Sequence, residues 1–163
     1  MVVLKAFQFR LKPTKKQARI LDEQLNECRW LYNEFLEERI LAHEELGMSL
    51  TKYQQLMFLP ELKLERPGLN QVHSQVLQNV GDRLDKSFQA FFRRCKTKEK
   101  AGFPRFRGVH RYNSFCFPQT GFSVEGSVVK LSKIGNIRIK MHRPIGGEIK
   151  TCTLRKNPSG DWD

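Results

Sequence analysis

The stretch "FSVEGSVVKLSKIGNIRIKM", residues 122–141, decides the fold. Apolar and polar side chains alternate through it with a period of two, and Glu125-Gly126 falls between two alternating runs where a tight hairpin turn is needed. Ile137 and Ile139 share one face of the last run, Arg138 and Lys140 the other, so one side of the sheet is apolar and the other cationic. "SFCF" (114–117) and "EIKTCTLRK" (148–156) have the same β-branched and aromatic character. Residues 114–156 therefore read as several short antiparallel strands divided by glycines.

Upstream the period lengthens to that of a helix. Leu77, Val80, Leu84, Phe88 and Phe91 recur at steps of three and four after Ser74, which predicts a helix to about Cys95. "KYQQLMFL" (52–59), capped by Ser49 or Thr51, predicts a short helix that Pro60 interrupts or bends, and "ERPGLNQV" (65–72) a turn-rich connection. Leu21, Leu25, Cys28, Tyr32, Phe35 and Arg39 mark a long helix from Lys15 to Leu46. The capping box of Thr14 and Gln17 starts it and Gly47 stops it. "VVLKAFQFRLKPT" (2–14) reads as a strand ended by Pro13. With one strand before the helices and several after, the first strand is expected to join the later sheet. The expected class is α+β: a small β-barrel with an inserted three-helix bundle, divided into a first strand (1–13), a helical part (14–96), and a basic loop with the remaining strands (97–163). In "TLRKNPSGDWD" (153–163) the N-P-S-G turn leads to Trp162 as the start of a returning strand, so the chain reads as cut from something longer or naturally shortened.

Charge narrows the function. The 163 residues carry 29 Lys and Arg against 17 Asp and Glu, a net +12, and the surplus is not spread evenly. Residues 93–156 hold sixteen bases and three acids, whereas residues 1–92 hold thirteen and twelve. Such a concentration calls for a polyanion, and nucleic acid is the usual one. A hydrophobic fraction of 39% with twelve Phe excludes a disordered tail. The four cysteines lack C-x-x-C spacing and a histidine pair, which is no zinc pattern. No signal peptide and no bilayer-length apolar run are present, so the reading is a cytoplasmic protein with free thiols and no membrane partner. Eight of the seventeen acids crowd into residues 22–45 and none ends a core-like strand, so no two-metal nuclease site and no other active site is visible.

The loop "KEKAGFPRFRGVHRYNSF" (98–115) alternates cations with rings on a backbone broken by Gly102, Pro104 and Gly108. Lys96, Lys98, Lys100, Arg105, Arg107 and Arg111 are candidates for phosphate contact, joined by Lys133, Arg138, Lys140 and Arg143 of the strand region and by Lys5 and Arg10. Phe103, Phe106 and Tyr112 either stack on splayed bases or pin the loop to the core. At the start of the helix in "HSQVLQNVGDR" (73–83), Ser74, Gln75, Gln78 and Asn79 can read base edges or belong to an ordinary solvated face.

"KAFQFRLKPTKKQ" (5–17), "CRWLYNEFLEER" (28–39), "SQVLQNVGDRLDKSFQAFFR" (74–93), "GFPRFR" (102–107), Ser114-Phe115 and "VKLSKIGNIRIKMHRPIGGEIKTCTLRKNPSGDW" (129–162) together resemble the N-terminal part of TnpB. These are the OrfB proteins of bacterial insertion sequences, related to compact type V CRISPR nucleases. The resemblance covers essentially the whole chain, and its strength lies in several weak motifs standing in the correct order. It implies an RNA-guided DNA endonuclease of bacterial or archaeal origin. The first strand and later sheet would form an OB-like wedge domain, and the helices a recognition domain. Together these would hold guide RNA, the unwound target DNA in heteroduplex, and the duplex bearing a short target-adjacent motif. By position the motif-reading residues would be Lys52, Tyr53, Gln54, Ser74, Gln75 and Gln78. In the family, cleavage belongs to a downstream RuvC-like domain with three acidic, magnesium-binding residues, followed by a C-x-x-C zinc element. Magnesium and zinc are therefore expected only in that missing part, no cofactor in this chain, and no cutting by it alone. His73 stands where the family often has proline, Pro60 falls inside a usual helix, and Ser132 replaces a customary proline. The rival reading is a nuclease-free relative with an independent life as a DNA- or RNA-binding regulator.

Overall fold

The computed structural model describes residues 1–163. The long helix α1 (Lys15–Leu46) runs between the expected residues: Thr14 and Gln17 form a reciprocal capping box, and Gly47 closes it in the left-handed conformation at φ 61°. Pro60 splits the next helical stretch into α2 (Lys52–Met57) and α3 (Leu59–Glu65), because a ring without an N–H is tolerated only in the first turn of a helix. A 3-10 turn (Pro67–Gln71) leads into α4 (Ser74–Lys96), whose N-cap is His73: its ring accepts a hydrogen bond from the Gln75 amide at 3.3 Å. Four α-helices thus stand where three were expected.

The strands are β1 (Leu11–Lys12), β2 (Ser114–Phe117), β3 (Phe122–Glu125), β4 (Val128–Leu131), β5 (Gly135–Ile139) and β6 (Cys152–Arg155), all paired antiparallel. A two-residue turn forms as expected but one residue later than Glu125-Gly126: Glu125 pairs with Val128, so the turn is Gly126-Ser127, and Gly126 supplies the positive φ of 58° that such a turn demands. The first strand is much shorter than the sequence suggests. Only Leu11 and Lys12 pair with β5, opposite Ile139 and Arg138. Beyond Ile139 the partner chain turns irregular around Pro144, Gly146 and Gly147, which leaves residues 1–10 almost nothing to pair with; the Lys140 amide bonding to the Arg10 carbonyl is the last rung.

A closed barrel is not formed. Strands β1-β5-β4-β3 make one sheet and β2-β6 a second, and nothing pairs β2 with β3. On the other side the sheets approach each other through the segment at Trp162, whose carbonyl accepts from the Leu11 amide at 2.8 Å while Asp163 exchanges two backbone bonds with Arg155. The returning strand read from the N-P-S-G turn is this segment, bridged to Lys156.

One hydrophobic cluster runs through both parts. It takes Leu21, Leu31, Phe35 and Leu36 from α1, Leu77, Val80 and Leu84 from α4, and Phe115, Ile137, Leu154 and Trp162 from the sheets. Full burial of such side chains contributes about 1.5–3 kcal/mol each. Gly81 lets α2 approach α4, because a Cβ there would lie 3.2 Å from Leu56 Cδ2. Gln24, buried on α1, donates to the carbonyls of Gln71 and Lys133 and so ties the helices to the β4–β5 connection.

Candidate nucleic-acid interface

The basic loop leaves α4 through a left-handed residue. Lys98, at φ 59°, occupies a position usually given to glycine, and the Glu99 amide bonds back to the Arg94 carbonyl. A side chain in this conformation costs about 1 kcal/mol, which locates local strain at a candidate phosphate contact.

Three anchors then hold the loop on the helices. Phe103 meets Phe88 and Phe91 edge-on, with ring centres 5.5 and 5.3 Å away. Asn33 clamps the backbone of Arg107 from both sides: its Oδ1 accepts from the Arg107 amide at 2.8 Å, and its Nδ2 donates to the carbonyl at 3.0 Å. Tyr112 is buried against Tyr32 at 5.7 Å. Phe103 is therefore an anchor, although half its surface stays exposed, and Tyr112 has no face free for a base. Phe106, 53% exposed and without an aromatic neighbour, is the ring available for stacking. Lys96, Lys98, Lys100, Arg105 and Arg111 are exposed and take part in no ion pair. The Arg107 guanidinium lies over the Tyr32 ring at 5.6 Å.

The sheet presents a second cationic surface. Arg138 and Lys140 point to solvent while Ile137 and Ile139 are buried. Lys12 stands directly opposite Arg138, and two like charges in cross-strand register destabilise a sheet that no anion covers. Other candidates are engaged within the fold. Arg10 bonds Asp163 at 2.8 Å and Asp161 at 3.1 Å, and Lys133 donates to the Asn70 carbonyl. Lys5 and Arg143 both sit over the Phe7 ring.

Of the six motif candidates, three are tied into structure. Gln54 closes the capping box of α2 with Thr51. Gln75 accepts from both the amide and the hydroxyl of Thr120 at 2.8 Å. Lys52 pairs with Asp82 at 2.8 Å, and that hydrogen bond holds the Lys52 ammonium above its ordinary range. Tyr53, 69% exposed, together with Ser74 and Gln78, remains open to a ligand. Gln78 lies one turn before Asp82 on α4, so the Lys52–Asp82 pair places α2 beside the face that carries Gln78. The sequence reading overlooked Asn33, Arg83 and Lys12. For Asn33 a signal was available in Arg29 and Asn33, one turn apart on α1, which both bond the Arg107 carbonyl.

His73 holds this corner together. Its ring packs on Phe117 at 5.6 Å, and burial, with a smaller effect of Lys133, lowers its pKa below the ordinary 6.5. The unfolded chain therefore binds the proton more readily than the folded one. The contribution of His73 to stability is complete above about pH 6.5 and is lost as pH falls through the lowered folded value. Asn at this position keeps an N-cap acceptor without titrating. His73→Asn should thus flatten the decline in melting temperature between pH 7.5 and 5; a decline as steep as in the wild type would assign the acid sensitivity elsewhere.

No three His, Cys, Asp or Glu side chains gather into a group able to hold a metal ion. Cys28 is fully buried, and burial pushes its thiol up to about 12, far from the thiolate that metal binding needs. No helix is long and apolar enough to cross a membrane.

Residues 1–48 match a helix-turn-helix domain family of the OrfB insertion-sequence type. In this chain that span holds β1 and the single continuous helix α1. The chain is 28% identical over 162 residues to InsQ of Escherichia coli (strain K12), covering 98% of this chain and 39% of that protein. It is 26% identical over 166 residues to a protein of Streptomyces pristinaespiralis, covering 98% of this chain and 40% of the relative. Both carry provisional names as RNA-guided DNA endonucleases. The likeness read from the motifs thus holds along nearly the whole chain, which spans about two-fifths of the length of the curated relatives it matches.

Proposed function

We propose that this chain is the N-terminal, nucleic-acid-binding portion of a TnpB-type RNA-guided DNA endonuclease, with the sheets acting as an open OB-like wedge and the helices as the recognition part. The observation that carries the reading is the anchored loop. Asn33, Phe88 and Tyr32 hold its backbone and two of its rings, while Lys98, Lys100, Arg105 and Phe106 stay exposed and without acidic partners. A solvated linker needs no such scaffolding. A surface that must meet a phosphate backbone in fixed register does.

In this reading the loop and the Lys12–Arg138 face neutralise phosphates of guide RNA and target strand, and sequence identity is left to base pairing. The exposed corner of Tyr53, Ser74 and Gln78 meets the duplex that carries the target-adjacent motif. Cutting, with its magnesium and zinc, is assigned to the rest of such a protein, because the side chains here do not fit either metal. Zinc wants four convergent soft or imidazole ligands, whereas no three His, Cys, Asp or Glu gather here, and Cys116 and Cys152, whose register partners are Thr153 and Phe117, fall on opposite faces of the β2–β6 pair.

The test is the RNA that purifies with the chain. Sequenced, it should be enriched in transcript from the region flanking the chain's own gene; random cellular RNA would overturn the guide-binding role. Replacing Lys98, Lys100, Arg105 and Arg107 by Ala should weaken binding and reduce the slope of log affinity against log salt by about 3, from roughly 0.7–0.9 per phosphate contact. An unchanged slope would clear all four of phosphate contact.

A further inference from the structure

Arg83 of α4 and Arg107 and Arg111 of the loop converge on a cleft of about 290 Å³ that Tyr112, Asn113 and Ser87 also line. None of the lining residues is acidic, and none of the chain's eight ion pairs involves these arginines. Aromatic rings fix two of them in place: Arg83 sits over Tyr112 at 5.7 Å and Arg107 over Tyr32 at 5.6 Å. One Arg83 nitrogen donates to the Ser114 carbonyl at 2.7 Å, which leaves its other donors free.

The decisive group is the Tyr112 hydroxyl. The residue is 6% exposed and lines the cleft, yet its oxygen has no hydrogen-bond partner anywhere in the fold. The Arg83 guanidinium lies over its ring, and burial pushes the phenol well above its ordinary pKa, so the hydroxyl keeps its proton and can donate it. Buried hydroxyls are almost always paired. An orphaned O–H among three uncompensated guanidiniums suits a compact anion with several acceptor oxygens, which the planar forks of arginine fit in pairs.

We propose that this cleft is a seat for a phosphate group of the bound nucleic acid, an assignment that rests on the binding role argued above. The volume takes a phosphate with the sugar that carries it, and the group accepts from Arg83, Arg107, Arg111 and the Tyr112 hydroxyl. Because Arg83 stands on α4 and the other two on the loop, one phosphate joins the loop to the helix. An internal phosphodiester and a terminal phosphate monoester share this chemistry.

The experiment titrates wild type, Arg111→Ala and Tyr112→Phe with one single-stranded RNA carrying either a 5′-phosphate or a 5′-hydroxyl, at several salt concentrations. Arg111 is exposed and makes no bond that the fold needs, so its loss should lower affinity about tenfold and the salt slope by about 1. Tyr112→Phe should lower affinity about threefold while leaving the melting temperature equal or higher, because the fold loses an unpaired polar atom and nothing else. A loss confined to the 5′-phosphorylated RNA assigns the seat to a chain end; an equal loss on both assigns it to an internal phosphate. Variants that bind as wild type, while Lys98, Lys100 and Arg105 replaced together by Ala weaken binding, overturn the cleft and leave the proposed function standing. A wild type that binds neither RNA overturns both.

Discussion

Arg39→Ala should be the most damaging single substitution on α1, costing about 3 kcal/mol or more. Arg39 lies within the stripe that otherwise holds Leu21, Leu25, Tyr32 and Phe35, and it is 9% exposed. Its Nε donates to Gln55 Oε1 at 2.8 Å and its Nη2 to Asp85 Oδ1 at 3.0 Å, while the guanidinium lies 4.7 Å from the centre of the Phe88 ring. Gln55 in turn donates to the Phe35 carbonyl and to Glu38. One side chain therefore connects α1, α2 and α4. Truncation strands the Asp85 carboxylate and the Gln55 carbonyl in a poorly solvated space and opens a void beside Phe88. For a chain of this size the melting temperature should fall by about 6–12 °C. Arg39→Lys keeps the charge but not the fork, so it should recover only part of the loss. Arg39→Ala combined with Asp85→Ala should cost less than the two singles added, since the second removes the charge that the first leaves unpaired. A melting temperature within 1 °C of wild type for Arg39→Ala would show that the network contributes nothing to stability.

The same residue shows what a sequence yields and what it withholds. Its place on the buried face follows from helical spacing alone, and so do the bounds of α1, because Thr14, Gln17 and Gly47 are local signals with local mechanisms. The Gly126 turn and the inward Ile137 and Ile139 are legible for the same reason. Long-range pairing was not. Whether residues 1–10 form a strand depends on the partner beyond Ile139, and whether the strands close into a barrel depends on β2 finding β6 and not β3. Neither choice is written in the period of either segment.

The candidate site divides along the same line. Charge named the loop, because a run of cations without acids needs no geometry to be noticed. The role of each side chain needed the fold. Gln54, named by the resemblance alone, and Gln75, chosen as a polar residue at a helix start, spend their side chains on Thr51 and Thr120. Tyr112, chosen as a stacking ring, is a buried neighbour of Tyr32, and its hydroxyl is buried without a hydrogen-bond partner. Arg83 drew no notice from its position just off the apolar stripe of α4, yet it faces the loop arginines.

Trp162→Ala should cost about 3 kcal/mol, although the residue stands next to last in the chain. Its ring is 2% exposed and meets Phe115 edge-on at 6.0 Å, and its carbonyl accepts from the Leu11 amide. Through these contacts the segment joins the short strand β1, and with it the four-stranded sheet, to the β2–β6 pair. The Asn157 side chain sets the turn that brings it back, accepting from the Ser159 and Asp161 amides at 3.1 and 3.0 Å. Removing the ring empties a space between the sheets, and the single bond to Leu11 is too little to hold β1 in place. Hydrogen exchange at the Leu11 amide should therefore accelerate far more than at amides in the middle of α1, whose bonds lie within their own helix. Trp162→Phe, which refills most of the volume, should restore part of the stability and most of the Leu11 protection. If Trp162→Ala left both melting temperature and Leu11 exchange unchanged, the two sheets would have to be held together by the α4–β2 contact, where Arg83 bonds the Ser114 carbonyl, and β1 by its two pairs with β5.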